Sequence, residues 1–176
     1  MSIEQAMMTE CMGFYRVFVD LEQKAYYGTE PQSIEDVFDT ELYKTPMVVN
    51  GAFAAEIGLK LLLRQKGLSF TRSEGHELHT LYGKLDREDQ TGIMCELKKT
   101  FSAHDEYNYV AAFRLFSKNF EKWRYRYEFD ENFGRKHEKN PADNLIYCDD
   151  VFRAFVRAVC TYVIGSNTIS KLMSIE

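Results

Sequence analysis

The sequence predicts a single all-helical domain over residues 1–176, an up-and-down bundle of about five to six helices. Three observations carry that expectation. Apolar residues recur at alternating spacings of three and four over long stretches, the period of a helix buried on one side. Only three prolines and ten glycines interrupt the chain, which favours long helices over many short strands. An apolar share of 45%, with 14% aromatics, is enough for a chain of 176 residues to bury a real core.

The first helix is expected from about Glu4 to Ala25, with Met7, Cys11, Phe14, Phe18, Leu21 and Ala25 as one apolar seam. Tyr26 to Gln32 reads as a loop holding Pro31. Ser33, with Asp36 at the reciprocal capping position, starts a short helical piece through Tyr43. Thr45-Pro46 reads as a new helix start, since proline is tolerated at the first helical position. That helix runs to Lys66 and ends at Gly67; being apolar on almost every side, it should be the central element.

After a loop from Leu68 to Glu74, Gly75-His76 opens a third helix with Leu78, Leu81, Tyr82 and Leu85 inward. A fourth helix spans Asp89 to Phe101, with Ile93 or Met94, Leu97 and Phe101 inward, and His104-Asp105 marks a cap or kink. The fifth carries Tyr109, Phe113, Phe116, Phe120, Trp123 and Tyr127. Residues 123–129 also alternate by two, as a strand would, so periodicity leaves the end of this helix open. A polar loop from Asp130 to Asn140 precedes the last helix, which starts at Asn140-Pro141. Its seam is Leu145, Cys148, Phe152, Phe155, Val159 and Tyr162. There is no internal repeat and no linker.

Composition narrows the function. A net charge of −5 argues against nucleic-acid binding by the whole surface, so any such contact must be a local patch or groove. No apolar segment is read as approaching a membrane span, and the N-terminus lacks the basic start and apolar run of a signal peptide, so a cytoplasmic protein is expected. Cys11, Cys95, Cys148 and Cys160 form no close pair, which disfavours a zinc site; all four are read as reduced and structural. No cofactor or metal is expected. Walker, Rossmann, Gly-x-Ser-x-Gly and His-Glu-x-x-His patterns do not occur.

Three clusters could carry chemistry. Glu56, Lys60 and Arg64 stand at four-residue spacing on the most apolar helix, with His76 just beyond its loop. They read either as an intrahelical ion pair reaching the surface or as a polar groove that meets a phosphate or a partner's charge. His76 and His79 share a helical face. The plain reading has His76 capping the loop or satisfying a buried backbone group, and His79 exposed. Trp123 to Lys139 interleaves aromatics with Arg124, Arg126, Arg135, Lys136, His137 and Lys139, residue types that stack on bases and hold phosphates. Glu128, Asp130, Glu131 and Glu138 dilute that charge, so core aromatics beside solvated charges are the competing reading. Cleavage of RNA would need a near-neutral base and a cation. Arg72, His79 and His137 are the candidates, with Arg124 as a further cation.

The run AAEIGLKLLLRQKG, the following GHELHTLYGKL and the WRYRYE at Trp123 to Glu128 resemble the core of HEPN-domain proteins, small helical bundles common in prokaryotes. The resemblance rests on helix order, on Ala55-Glu56 with Lys60 one turn on, and on Gly75-His76-x-Leu78. It implies RNA- or nucleotide-related work. Many members are metal-independent ribonucleases of toxin, defence or RNA-processing systems, acting as homodimers with paired Arg-x4-6-His motifs. Others bind RNA or nucleotides, or pair with a minimal nucleotidyltransferase. Here the formal match is Arg72 with six residues before His79, at the entry to the third helix and not late in the bundle. The expectation is therefore an RNA- or nucleotide-binding module, homodimeric and without a well-formed catalytic motif. The alternatives are a metal-independent endoribonuclease, or an interaction module that escorts a partner enzyme encoded nearby.

Overall fold

The computed structural model describes residues 1–27, 34–71, 74–102, 108–117 and 150–173. Among these the chain is helical with no strand, as the periodicity predicts. The elements are α1 (Ile3–Tyr26), α2 (Ile34–Gln65), a 3₁₀ turn (Glu74–His76), α3 (Leu78–Lys84), α4 (Arg87–Thr100), α5 (Tyr109–Phe116) and α6 (Asp150–Met173).

α1 starts one residue before its expected position because Ser2 and Gln5 form a reciprocal capping box. Ser2 Oγ accepts from Gln5 N at 3.2 Å, and Ser2 N donates to Gln5 Oε1 at 2.8 Å. Cys11, Phe18 and Ala25 of the seam are buried, while Met7, Phe14 and Leu21 pack at its edge.

α2 corrects one expectation. In place of a short helix and a second one starting at Pro46, a single helix of 32 residues, about 48 Å long, carries Pro46 in its interior. Proline removes one donor to the carbonyl four residues back. That carbonyl belongs to Leu42, which is 69% exposed and can give it to water. On the other side Met47 and Val48 are fully buried, so packing along α1 holds the helix together through the defect. At the far end the expected stop is present. Gly67 takes φ 67°, Leu68 N donates to Leu63 O at 2.8 Å and Gly67 N donates to Arg64 O at 3.0 Å, a Schellman termination.

A second correction concerns hydropathy. Leu42–Gln65 is long and apolar enough, by length and composition alone, to cross a membrane, and 72% of its most apolar window is buried inside the bundle. That burial is against α1, α3 and α6, which agrees with the central position expected of it.

α4 begins two residues earlier than expected because Asp86 caps it, its Oδ1 accepting from Asp89 N at 2.9 Å. Ile93 and Leu97 point inward as expected. α5 is capped by Asn108, whose Oδ1 accepts from Ala111 N at 2.9 Å. Its Phe113 and Phe116 interlock with α6. Phe113 and Phe155 rings lie 4.6 Å apart, Phe116 and Phe155 5.2 Å, and Tyr82 of α3 meets Phe113 edge-on at 5.2 Å. Phe152, Phe155 and Val159 are fully buried, as their seam predicts. Cys11 and Cys160 are buried free thiols, but Cys95 is exposed, so the structural reading fails for it. The strand-or-helix question at residues 123–129, the His104-Asp105 cap, the Asn140-Pro141 start and Cys148 lie outside the described residues.

Candidate functional site

Glu56 is the centre of the first polar cluster. Its side chain is only 2% exposed, in the middle of the most apolar helix, so its charge needs partners. Lys60 Nζ, one turn on, donates to Oε1 at 2.5 Å, and His76 Nδ1 of the 3₁₀ turn lies 3.2 Å from Oε2. Lys60 also sits over the Phe70 ring, 5.4 Å from its centroid. Gly75, buried in the turn, faces Lys60 Nζ, and a Cβ there would lie 3.4 Å from it, in ordinary contact. The turn itself is pinned by Glu74. Its carboxylate accepts from Lys84 Nζ at 2.7 Å and from Thr71 N at 2.8 Å, and the Lys84 ammonium, with Thr71, holds it down at about 2.

Arg64 does not continue this cluster. It turns to α1 and donates from Nε to Glu4 Oε1 at 2.6 Å, on the surface. The structure thus brings Glu56, Lys60 and His76 together as a buried-carboxylate hub and sets Arg64 on the rim of an adjacent groove. That groove, of about 490 Å³, is lined by Glu4, Met7, Lys60, Arg64, Gly67 and Phe70 among others.

His79 belongs to a different place. Leu78 N donates to Ser117 O at 3.1 Å and His79 N donates to Ser117 Oγ at 3.0 Å, so the start of α3 is docked on the end of α5. One turn back on α5, Arg114 Nε donates to His79 Nε2 at 3.3 Å. His79 is half-buried, against the expectation that it is exposed. Burial, with the Arg114 charge behind it, holds the imidazole below its usual range, while Glu77 pulls weakly the other way. Among the described residues Arg114 has no carboxylate partner. No group of three or more His, Cys, Asp or Glu among the described residues could hold a metal ion. Arg72, Arg124, Arg126, Arg135, Lys136 and His137 lie outside the described residues.

A third cluster went unread in the sequence. Glu22 of α1 is 1% exposed and receives Arg153 Nη1 at 3.0 Å, with Arg157 Nη2 on its other oxygen. Arg153 also donates to Asp150 and, at 3.4 Å, to Tyr27 Oη, and its guanidinium stacks over Tyr26 at 4.0 Å. The signal was present: Glu22 stands four residues after Phe18 and three before Ala25, on the buried seam. Arg153 and Arg157 stand at four-residue spacing in an apolar run. These side chains line a cleft of about 740 Å³ together with Tyr27, Thr100, Phe101 and Ser102.

Compared with known proteins, the chain matches no family model, no curated protein and no solved structure.

Proposed function

We propose that the chain is a HEPN-like RNA- or nucleotide-binding module that meets phosphate through His79 and Arg114. The observation that carries this reading is the Arg114–His79 bond at 3.3 Å, on an exposed guanidinium with no carboxylate partner among the described residues. A guanidinium keeps unused donors for a phosphate, and the neighbouring imidazole, whose Nε2 accepts from Arg114, carries its own donor on Nδ1. α5 leads in sequence toward the basic aromatic run of Arg124, Arg126, Arg135, Lys136 and His137, residue types that suit RNA. The overall charge of −5 keeps that contact local. Resemblance to HEPN proteins supports a cytoplasmic homodimer.

A second reading, metal-independent RNA cleavage, is favoured by the state of His79. The neutral ring's one lone pair, on Nε2, holds Arg114; once the guanidinium turns to a phosphate, that lone pair is released to accept the proton of a 2′-hydroxyl, and Arg114 can stabilise the charge that gathers on phosphorus. One experiment addresses both readings. Labelled single-stranded RNA is titrated in EDTA at several salt concentrations with wild type, Arg114→Ala and His79→Ala, each shown to be folded by circular dichroism. The binding reading expects salt-dependent affinity that falls with Arg114→Ala, and wild-type affinity in both variants would overturn it. Cleavage that is lost in His79→Ala would establish the enzyme; intact RNA at high protein concentration would remove it.

A further inference from the structure

We propose that the cleft between the end of α1, the residues following α4 and the beginning of α6 binds a small organic anion through Arg153 and Arg157, a site separate from His79 and Arg114. The anion carries a carboxylate or phosphate, and a flat apolar body that lies against Phe101 and Tyr27. At about 740 Å³ the cleft lies within the range of small-molecule sites.

Both guanidiniums are held by one carboxylate. Glu22, 2% exposed, is a fixed anchor for both. Its single charge neutralises one of the two cations, leaving the other to be balanced. In the structure Asp150 does this for Arg153, from the same helix and three residues away. Asp150 is 72% exposed, however, so its carboxylate keeps much of its hydration and can be exchanged for another anion on Arg153. It stands where a ligand's charged group would stand and can give way to one. Arg153 is itself buried to all but 9%, and its Nε is closed to solvent with no hydrogen-bond partner among the described residues. Its Nη1 and Nη2 are engaged by Glu22, Tyr27 and Asp150, so the donor that Arg153 can offer a ligand is the one Asp150 now holds. Arg157 is a third exposed, and its one hydrogen-bond partner among the described residues is Glu22, which leaves donors for the cleft it lines. Ser102 adds a hydroxyl and Phe101 a ring to the lining, while the Thr100 hydroxyl donates to Leu97 O at 3.1 Å. Two oriented guanidiniums, a neighbouring hydroxyl and aromatic side chains are the parts of a site for a planar anion.

The test uses the whole chain and four probes: inorganic phosphate, acetate, phenyl phosphate and benzoate, titrated by isothermal calorimetry. Saturable binding of phenyl phosphate or benzoate is expected, tighter than that of the matched ion without a ring. Which of the two binds more tightly identifies the head group as phosphate or carboxylate. Arg157→Gln should weaken binding about tenfold or more. Asp150→Ala should strengthen it roughly tenfold by removing the competing carboxylate, a sign that loss of a merely structural contact would not produce. Arg64→Gln, in the other groove, should leave it unchanged. Thermal unfolding of each variant shows that it is folded. The proposal is overturned if none of the four probes saturates by about 10 mM. It is equally overturned if binding survives Arg157→Gln, or if Asp150→Ala weakens it in a folded protein.

Discussion

Arg153 Nη1 of α6 donates to Glu22 Oε1 of α1 at 3.0 Å, across 131 residues of chain. Arg157 takes the other oxygen of the same carboxylate. One buried anion therefore ties α6 to α1, beside the fully buried Phe18, over whose ring Arg157 lies at 6.0 Å. The bond fixes the rotation of α6, because its two arginines must face α1 while Phe155 faces α5.

Breaking that anchor on one side should cost much more than removing it whole. Glu22→Ala leaves two cations facing an apolar layer and is expected to lower stability by about 3–5 kcal/mol. The double variant Glu22→Leu with Arg153→Met should be more stable than the sum of its singles implies, because it leaves one cation, Arg157, without the Glu22 carboxylate where Glu22→Leu leaves two. Urea denaturation of the cycle measures this, and strict additivity would show that the pair is not coupled.

Glu56 should prove more costly than either of its smaller contacts. Glu56→Ala strands Lys60 in a largely buried position and is expected to cost about 3 kcal/mol or more. His76→Ala removes a ring that is 45% exposed and should cost under about 1 kcal/mol. Equal losses in chemical denaturation would mean that the turn, and not the Lys60 pair, is what holds the carboxylate.

Two glycines mark places where helices approach too closely for a methyl group. A Cβ at Gly92 would stand 2.2 Å from the Tyr162 ring, which is held by its hydroxyl donating to Asp89 Oδ1 at 2.8 Å. A Cβ at Gly51 would stand 2.6 Å from the ring of Phe18, itself fully buried. Gly92→Ala and Gly51→Ala should each lower stability by about 1–3 kcal/mol despite alanine's better helix propensity. Gly13→Ala on α1, with nothing within 4 Å of the added carbon, should instead stabilise slightly. Thermal melts of the three variants would reveal a wrong packing if their order were reversed.

His79 gives binding and cleavage opposite responses to pH. Its imidazole is held below the usual value of 6.5 in the folded protein. What this neutral ring contributes to stability is present above 6.5 and is lost as the pH falls through the depressed value. Phosphate binding runs the other way: RNA affinity should rise as the pH falls below 6.5, because the charged ring releases Arg114 and both cations turn to the phosphate. A cleavage rate that needs the neutral base should instead fall over the same interval. Anisotropy and cleavage assays between about pH 5 and 8 read both, and His79→Gln should flatten each profile. A pH-independent affinity would exclude His79 from the contact.

Much of the fold was legible because helical signals are local. The seam on α1, the Gly67 termination and the inward faces of α3 and α4 each follow from residues within one or two turns of one another. Pro46 was misread for a related reason. By itself it favours a helix start, and only the burial of Met47 and Val48 against α1 makes it an interior residue. The sites were legible in part. Glu56 with Lys60 could be read from four-residue spacing, whereas Arg64, at the same spacing, faces Glu4 of α1. Glu22 carried a visible signal, a carboxylate on a buried seam, but nothing near it in the sequence named its partners.

From the sequence alone, then, come the helical class, most helix limits and the short-range ion pair, since each is set by contacts three or four residues apart. The tertiary structure decided which distant charges meet. His79 finds Arg114 across 35 residues and Glu22 finds Arg153 and Arg157 across 131 and 135. The physical reason is that a buried charge must be paired, but the rule does not say with which residue. That choice is made by how the apolar faces of α1, α3, α5 and α6 pack, and the charges are carried to one another by that packing.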